Sequence, residues 1–377
     1  MPSRLLFLVN SSSYFLSHRI GIALAAKEQG YEVHVASPKD GEEETLKERG
    51  IIHHHLPISR TSINIFFEIK TFFSIYFLIK KLTPDLLHLI TIKPVIYGGI
   101  VSRLLGIKGV VSAIPGLGYV YISTGVKARV LRFLINCLYK ISFSKKSLKI
   151  VFQNEDDMQT LREAINFKKT KSILIRGSGV DLNEYKKTSF PEGKPVISMI
   201  SRLQEDKGVN EFAAAAKILK EKKVEADFWL VGETDFSYPS PIPRSDLEEW
   251  ENEGLLKVFG YRKDINALMS GSSIIVLPSY REGLPKVLIE AASCGRPVIT
   301  TDVPGCRDAI IEGETGFLVP PKDSKKLAER IQFLLSNKNL LEKMGQAGRK
   351  HAEENFSLER VIEAHLEIYS NLVGKVQ

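Results

Sequence analysis

The chain has 377 residues, 44% of them hydrophobic and 25% charged, and it carries a formal net charge of +8. Its composition excludes a disordered chain, and its length exceeds one ordinary hydrophobic core and predicts two domains. The three cysteines, Cys137, Cys294 and Cys306, form no C-x-x-C pair, which argues against a disulfide scaffold or zinc site and favours a reducing cytoplasm. The apolar runs are too short to predict a signal peptide or a spanning helix.

The first half of the chain alternates short β-rich runs with helical stretches. Six runs are predicted as strands, at residues 4–10, 31–37, 50–56, 85–90, 109–114 and 148–153. Strands separated by helices indicate βαβ units and a parallel sheet. This half is strongly basic, since ten Lys or Arg and no acidic residue occur between Leu86 and Asn154. Such a charge balance favours an anionic partner, either a membrane surface or nucleic acid.

A Gly-, Ser-, Lys- and Pro-rich segment at residues 175–195 predicts the domain boundary. Six further strands are predicted beyond it, at residues 195–201, 227–232, 255–260, 273–279, 297–301 and 316–320. The predicted fold is α/β, with two Rossmann-like parallel-sheet domains facing a central cleft, at residues 1–180 and 181–355. The C-terminal helix, at residues 356–377, is expected to pack back on the first domain. Ligands should bind beyond the carboxyl ends of the strands.

The loop after the first strand of the second domain contains two cations, Arg202 and Lys207, and Lys207-Gly208 opens a helix. Side-chain charge and free backbone N–H groups at a helix N-terminus both favour a diphosphate. A solvated surface loop with ordinary charges is an equally good interpretation of this loop alone.

The segment SYREGLPKVLIEAASCG, residues 279–295, carries two carboxylates, Glu282 and Glu290, with seven residues between them. Pro285 suits the start of a helix, Gly283 permits close approach of a ligand, and the N–H groups of the first turn favour an anion. The two carboxylates would accept hydrogen bonds from sugar hydroxyls, Glu282 outside the helix and Glu290 within it. The pattern predicts a nucleotide-sugar site, and the alternative is a structural helix with two incidental acids.

Residues 281–305, REGLPKVLIEAASCGRPVITTDVPG, resemble the E-x7-E signature of retaining glycosyltransferases of family 4, which have the GT-B fold. Two further segments are similar to motifs of that family, SRLQEDKG at 201–208 and GETGFLVPPKD at 313–323. The resemblance covers nearly the whole chain. It implies a nucleotide-sugar donor, transfer with retention of anomeric configuration and no required metal or other cofactor.

The resemblance also implies roles for individual residues. Arg202 and Lys207 would bind the donor diphosphate, and Glu282 the donor sugar. The remaining donor contacts would come from Glu290 to the ribose, from the backbone at Gly283 and Leu284 to sugar or phosphate, and from the backbone at Tyr261 and Arg262 to the base. Apart from the resemblance, the first-domain loop NSSSYFLSHR at 10–19 places His18 and Arg19 where they can face the cleft, with an ordinary helix-start His and Arg as the alternative; Ser11 and Arg19 are predicted to contact the donor.

Three segments of the first half resemble a bacterial subgroup that transfers N-acetylgalactosamine or related sugars to undecaprenyl-diphosphate-linked acceptors: GLGYVY at 116–121, KARVLRFLINCLYKISF at 127–143 and GSGVDLNEY at 177–185. This implies UDP-GalNAc as donor and a polyprenyl-diphosphate-linked sugar as acceptor, with Gly116 and Gly118 on the acceptor side. Two family features are missing, a Gly-Gly loop after the first strand and a His in AIPGLG at 113–118. A catalytic histidine therefore cannot be assigned there.

Two stretches are candidates for a membrane surface, the aromatic residues 63–82 and the basic residues 126–149. Basic, aromatic helices bind well to an anionic bilayer, which predicts a cytoplasmic protein peripheral on the inner membrane face. Both stretches are otherwise core-packing helices with their charges in solvent. Alternatively, the second stretch binds the acceptor diphosphate through Arg129, Arg132 and Lys140.

Other functions remain as alternatives. A transferase with another nucleotide sugar and a non-lipid acceptor fits the same motifs. A UDP-sugar epimerase needs acid and base side chains that the first-half loops do not offer, and a phosphorylase needs a longer chain. A nucleic-acid-binding module needs interleaved aromatic and basic residues on a sheet or loop, whereas here they fall on predicted helices, so nucleic acid is not expected as a partner.

Overall fold

The computed structural model describes residues 2–62, 64–118, 121, 125–238 and 240–374. Contacts along the chain divide it into two compact units, Met1–Ser178 together with Glu359–Gln377, and Gly179–Leu358. The chain therefore builds most of the first unit, then all of the second, and ends in the first.

The first unit is built on a seven-stranded parallel sheet. Its strands lie in the order β3-β2-β1-β4-β5-β6-β7. Their bounds are β1 Arg4–Leu8, β2 Glu32–Ser37, β3 Ile52–His55, β4 Leu86–Ile90, β5 Gly109–Ile114, β6 Leu148–Phe152 and β7 Ser172–Leu174. The central strands are buried on both faces, which explains why they are continuous apolar runs without alternation.

Helices cover both faces of this sheet, and a hydrophobic core fills the space on each side. Within the described residues, those that precede the second unit are α1 Ser12–His18, α2 Ile20–Glu28, α3 Glu43–Glu48, α4 Ile65–Leu82, α5 Ile92–Leu104, α6 Val126–Ser142 and α7 Glu155–Ile165. Side-chain caps fix several of their starts; the Asn154 side chain, for example, accepts from the Asp157 N–H at the start of α7.

The second unit has a six-stranded parallel sheet in the order β10-β9-β8-β11-β12-β13. Its strands are β8 Val196–Ile200, β9 Asp227–Val231, β10 Lys257–Val258, β11 Ile274–Leu277, β12 Val298–Thr301 and β13 Gly316–Val319. Its helices are α8 Val209–Glu221, α9 Arg244–Asn252, α10 Ile265–Ser270, α11 Lys286–Ser293, α12 Ser324–Leu335 and α13 Lys338–Asn355. In the sheet order, β8 lies beside β11, so the loops that follow these two strands leave the same edge next to each other.

The last helix, α14 (Leu358–Val373), packs against the sheet of the first unit. Val361, Ile368 and Tyr369 are buried in that core. The Tyr369 hydroxyl lies 2.6 Å from Nδ1 of His88 in β4, and the His88 and His365 rings stack with centroids 5.4 Å apart. A buried polar contact thus joins β4 and α14, which are far apart in the sequence, within one core.

The predicted architecture of two Rossmann-like domains is confirmed. All twelve predicted strands are present, and their ends differ by at most two residues from the prediction. The sequence analysis missed β7, a half-buried edge strand of three residues that has no apolar run long enough to indicate it. Within the described part of the chain, no helix combines the length and the apolar character that crossing a bilayer requires.

Candidate active site

The loop after β8 carries Arg202 and Lys207 and passes directly into α8. A short 3-10 turn, Glu205–Lys207, ends at Gly208, whose φ of 79° lies in the left-handed region that favours glycine. A Cβ added to Gly208 would stand 2.2 Å from the carbonyl oxygen of Pro278, just past β11. This glycine therefore allows the loops after β8 and β11 to touch.

Lys207 and Glu282 meet where these two loops touch. The Lys207 Nζ lies 2.5 Å from Glu282 Oε1, and both side chains are largely buried, with 12% and 15% of their surface exposed. The hydroxyl of the fully buried Ser279 donates to the same oxygen over 2.6 Å. The Tyr280 N–H adds a backbone bond of 2.8 Å to the Asp206 carbonyl. The site thus contains a shielded ion pair whose geometry is fixed from both sides.

The backbone at Glu282 and Gly283 is supported from the loop after β12. The Glu282 N–H donates to the Pro304 carbonyl over 3.1 Å. Gly305 has a φ of 81°, and a Cβ there would lie 2.4 Å from the carbonyl oxygens of both Glu282 and Gly283. Leu284 has its side chain buried in the core, which leaves only its backbone for a ligand. The predicted helix start at Pro285 is present, with that residue at the N-cap of α11.

Glu290 lies inside α11 and is nearly buried. The Lys286 Nζ approaches its Oε1 to 3.0 Å, and the Tyr185 hydroxyl is a second hydrogen-bond partner. Burial raises the pKa of Tyr185, and the carboxylate of Glu290 raises it further, so this hydroxyl stays protonated and donates. Glu290 is consequently a hydrogen-bond acceptor held by residues from two parts of the chain.

Arg202 is held in a different way. Its guanidinium lies 4.3 Å above the centroid of the Tyr238 ring. Its buried Nη1 has no hydrogen-bond partner within the described residues. A buried N–H group without a partner costs free energy, which an anionic ligand would recover.

The loop after β10 carries Tyr261 and Arg262, whose backbone is predicted to contact the base. The Gly232 N–H donates to the Gly260 carbonyl over 2.9 Å, which fixes this loop beside the end of β9. The Tyr261 ring is 63% exposed, and the Arg262 guanidinium pairs with Asp264 at 2.7 Å and 2.5 Å. The Arg262 side chain is therefore occupied locally, and the prediction for this loop concerns its backbone.

In the first unit, Ser11 and Arg19 have local partners. Ser11 caps α1 by accepting from the Tyr14 N–H, and its hydroxyl lies 3.3 Å from a carboxylate oxygen of Asp40. That same oxygen also accepts the Ser12 N–H over 2.7 Å. Arg19 is only 2% exposed, at the junction of α1 and α2. Their assignment to the donor stays a prediction.

The predicted acceptor residues lie after β5 and along α6. Gly118 has a φ of 66°, and five residues in or just after the GLGYVY segment, at 119, 120 and 122–124, fall outside the described residues. In α6, the Arg132 guanidinium lies 5.4 Å from the Tyr121 ring centroid, while Arg129 and Lys140 are exposed. Gly116 lies in the loop directly after β5.

The solvent side of α4 and α6 carries several large apolar side chains. On α4, Phe66, Phe73 and Phe77 are 80%, 52% and 63% exposed. On α6, Phe133 and Leu134 are 67% and 53% exposed. The helix α5 packs against both α4 and α6. The sequence indicated the basic residues of α6. The structure shows that its outward surface also carries large apolar side chains beside those cations.

Three residues of the site carry no assignment in the sequence analysis. Ser279, Tyr185 and Tyr238 hold Glu282, Glu290 and Arg202 respectively. The only available signal was position, since Ser279 and Tyr185 lie inside quoted motifs. Across the described residues, no group of three His, Cys, Asp or Glu side chains is arranged to hold a metal ion.

Comparisons with known proteins assign the family. The protein-family model described as glycosyl transferases group 1 matches residues 181–351, and the family model described as glycosyl transferase 4-like matches residues 4–154. A Campylobacter jejuni relative, N,N'-diacetylbacillosaminyl-diphospho-undecaprenol alpha-1,3-N-acetylgalactosaminyltransferase, is 31% identical over 99% of this chain and 100% of its own. The chain belongs to the group 1, family-4-like glycosyltransferases.

Two further similarities agree with this family. An Escherichia coli UDP-Gal:alpha-D-GlcNAc-diphosphoundecaprenol alpha-1,3-galactosyltransferase is 24% identical over 84% of this chain and 83% of its own. The structure of Anabaena Alr3699/HepE in complex with UDP and glucose superposes with a TM-score of 0.78 at 19% identity, covering 98% of this glycosyltransferase and 99% of the other chain. The predictions of the family, the GT-B fold and glycosyl transfer are confirmed.

Proposed function

We propose that this glycosyltransferase moves a sugar, with retention of anomeric configuration, from UDP-GalNAc to a polyprenyl-diphosphate-linked sugar during the assembly of a bacterial surface glycan or glycoprotein glycan. The observation that carries the proposal is the full-length similarity to the C. jejuni transferase. The E. coli relative is named for another donor and another first sugar, yet its acceptor is also linked to diphosphoundecaprenol. The lipid diphosphate is the feature common to both names, which supports the acceptor class more strongly than the donor sugar.

The geometry of the second unit supports a nucleotide-sugar donor. In the proposal, Arg202 and Lys207 bind the diphosphate, and the first-turn N–H groups of α11 add favourable dipoles. Glu282 accepts from donor-sugar hydroxyls, and Glu290 accepts from the ribose. The Lys207–Glu282 pair suits this role, because the ammonium group can be shared between the carboxylate and an incoming phosphate oxygen.

The proposed chemistry uses the diphosphate as leaving group. The bond between the anomeric carbon and the phosphate oxygen breaks, and negative charge grows on that oxygen. Arg202, Lys207 and the α11 N-terminus stabilise the charge, a contribution that is often the largest in catalysis. The acceptor hydroxyl attacks from the face that the phosphate leaves, and the departing phosphate takes its proton. These cations supply the charge stabilisation, so the proposal requires no metal.

The surface of α4 and α6 supports a peripheral position on the anionic inner face of the cytoplasmic membrane. Exposed aromatic side chains would enter the interface, and Lys and Arg on the flanks would meet anionic headgroups. A polyprenyl-linked acceptor lies in that membrane, so the surface and the acceptor agree.

The test is UDP release by the purified protein with UDP-GalNAc, UDP-GlcNAc, UDP-Gal or UDP-Glc, each with and without a polyprenyl-diphosphate-linked sugar. We expect release with one donor, dependent on the lipid acceptor, and retention of configuration in the product by NMR. Glu282→Ala should abolish release. Glu225→Ala, which removes an exposed acid before β9, is the control and should retain it.

Two outcomes would contradict the proposal. If no UDP is released from any UDP-sugar, the protein does not use UDP-sugars as donors, and other nucleotide sugars would be tested next. Release that is fully supported by soluble acceptors would remove the lipid-linked acceptor and leave a transferase with a non-lipid substrate.

A further inference from the structure

The loop between β9 and α9, residues 233–242, pairs with the Arg202 loop along its backbone; of these residues, 239 lies outside the described part. The Leu203 N–H donates to the Glu233 carbonyl over 2.9 Å, and the Ile242 N–H donates to the Leu203 carbonyl over 3.1 Å. The Glu205 N–H donates to the Ser240 carbonyl over 3.0 Å. These bonds fix the 233–242 loop to the segment between Arg202 and Lys207.

Side-chain hydrogen bonds give this loop a defined shape. The Thr234 hydroxyl donates to the Ile242 carbonyl over 3.1 Å, which ties its two ends together. Asp235 accepts from both the backbone and the hydroxyl of Ser237, over 3.0 Å and 2.5 Å. The ring of Tyr238 is then carried to a position beneath the Arg202 guanidinium, 4.3 Å away.

The stacking geometry leaves Arg202 able to bind a ligand. An aromatic ring occupies only the flat face of a guanidinium, while its N–H groups point outward in the plane. Phosphate oxygens are bound by those in-plane groups, often two at a time. The buried Nη1 of Arg202, which has no hydrogen-bond partner in the described part of the chain, fits a guanidinium held ready for an anion.

We propose that Tyr238 is a positioning residue that fixes Arg202 in the orientation that binds the donor diphosphate. The inference rests on the proposed nucleotide-sugar donor and adds a residue from outside the motif loops to that site. Because the arginine is ordered before the donor arrives, less side-chain entropy is lost on binding. Tyr238 itself touches the arginine and is assigned no contact with the donor.

The loop offers its own matched control. Phe236 lies two residues before Tyr238 and is 71% exposed. A Phe236→Leu variant removes an aromatic ring from the same loop without removing the ring beneath Arg202. Tyr238→Phe keeps the ring and removes only the hydroxyl, whereas Tyr238→Leu removes the stacking and keeps an apolar side chain.

The experiment measures binding of UDP and of uridine to the full chain and to these variants by NMR titration. We expect Tyr238→Leu to weaken UDP by about tenfold, from the magnitude of a partly desolvated cation–π contact, and to leave uridine unchanged. Tyr238→Phe and Phe236→Leu should bind UDP within about twofold of the wild type. In an Arg202→Gln background, Tyr238→Leu should cause no further weakening.

Turnover data add a second readout. With the lipid acceptor, Tyr238→Leu should raise the KM for the donor and leave the KM for the acceptor unchanged. Equal weakening of uridine and UDP would overturn the proposal, because it would indicate a general disturbance of the loop. Unchanged UDP affinity would overturn it as well. A wild type that binds no UDP would instead overturn the proposed donor, and this role of Tyr238 with it.

Discussion

At the level of single residues, two donors fix the position of the Glu282 carboxylate through its Oε1 oxygen. Lys207 supplies the charge and Ser279 supplies a neutral hydrogen bond, at 2.5 Å and 2.6 Å. Ser279 has no exposed surface, so water cannot replace its hydroxyl without a rearrangement. A hydrogen bond to a charged group in such a place contributes about 1.5–3 kcal/mol.

Removing the Ser279 hydroxyl should therefore impair donor use. We expect Ser279→Ala to lower kcat/KM for the donor by about tenfold or more, since about 1.4 kcal/mol corresponds to a factor of ten. The measurement is steady-state UDP release at saturating acceptor. Ser198→Ala is the control, because it removes an equally buried hydroxyl of β8 whose partner is Ser272. If both variants lose activity equally, the effect belongs to sheet stability and the role of Ser279 is wrong.

The sequence was informative about residues whose chemistry depends on spacing along the chain. It predicted Arg202, Lys207 and Glu282 as one site, and the structure brings the last two into direct contact. It gave no role to Ser279 or Tyr238. Tyr238 contacts Arg202 only because the loops after β8 and β9 lie side by side, and chain spacing carries no signature of that. Ser279 lies only three residues before Glu282, but that spacing alone does not indicate a hydrogen bond until the path of the loop is known.

At the level of elements, α6 was also only partly predictable from the sequence. Its Lys and Arg were visible in the sequence, but the direction of each side chain depends on which face packs on α5. Tyr139 and Ser142 are buried, and Ser142 donates to the Val95 carbonyl of α5 over 2.7 Å. That contact turns Phe133 outward. Edge strand β7 was missed for a related reason, since its pairing with β6 rather than its composition makes it a strand.

A charge placed on this outward face should weaken membrane binding. We expect Phe133→Asp to lower the affinity for phosphatidylglycerol vesicles by about tenfold, as measured by sedimentation. The reason is that burying one Phe side chain in the interface stabilises the bound state by about 1.5 kcal/mol or more. Binding of the wild type should also fall as salt is raised. Phe236→Asp, at a residue of the second unit that is similarly exposed, is the control. Equal binding to neutral phosphatidylcholine vesicles would contradict an anionic surface as the partner.

At the level of the whole molecule, two buried histidines make the first unit sensitive to acid. The pKa of His365 is lowered from 6.5 to about 3, first by burial and then by the charge of Arg19, whereas a hydrogen bond to Val361 opposes the shift. Burial, followed by His365 and Arg19, lowers the pKa of His88 well below 6.5. Between pH 6.5 and about 3 the unfolded chain binds a proton at His365 that the folded chain does not, and the same holds at His88 from pH 6.5 down to its own lowered pKa. The free energy of unfolding must therefore fall as the pH falls.

The expected loss is about 1.4 kcal/mol for each pH unit below 6.5 and for each of the two histidines. Urea unfolding between pH 7.5 and 4.5 would measure it. For each variant, the free energy of unfolding is compared with its own value at pH 7.5. On that basis, His365→Gln should lower the slope of the free energy of unfolding against pH by the equivalent of about one proton. His55→Gln, which replaces an exposed histidine of β3, is the control. An unchanged slope in His365→Gln would show that this histidine is protonated in the folded state.

The contact between His88 and Tyr369 also has a consequence for synthesis on the ribosome. The two residues are 281 positions apart, and the whole of Gly179–Leu358 is translated between them. At about 5–20 residues per second, these roughly 180 residues take about 10 to 35 s. Throughout that interval the sheet around β4 has left the exit tunnel without the helix that covers it, and its apolar face is available to a chaperone. The nascent first unit is thus finished only after the second has been made.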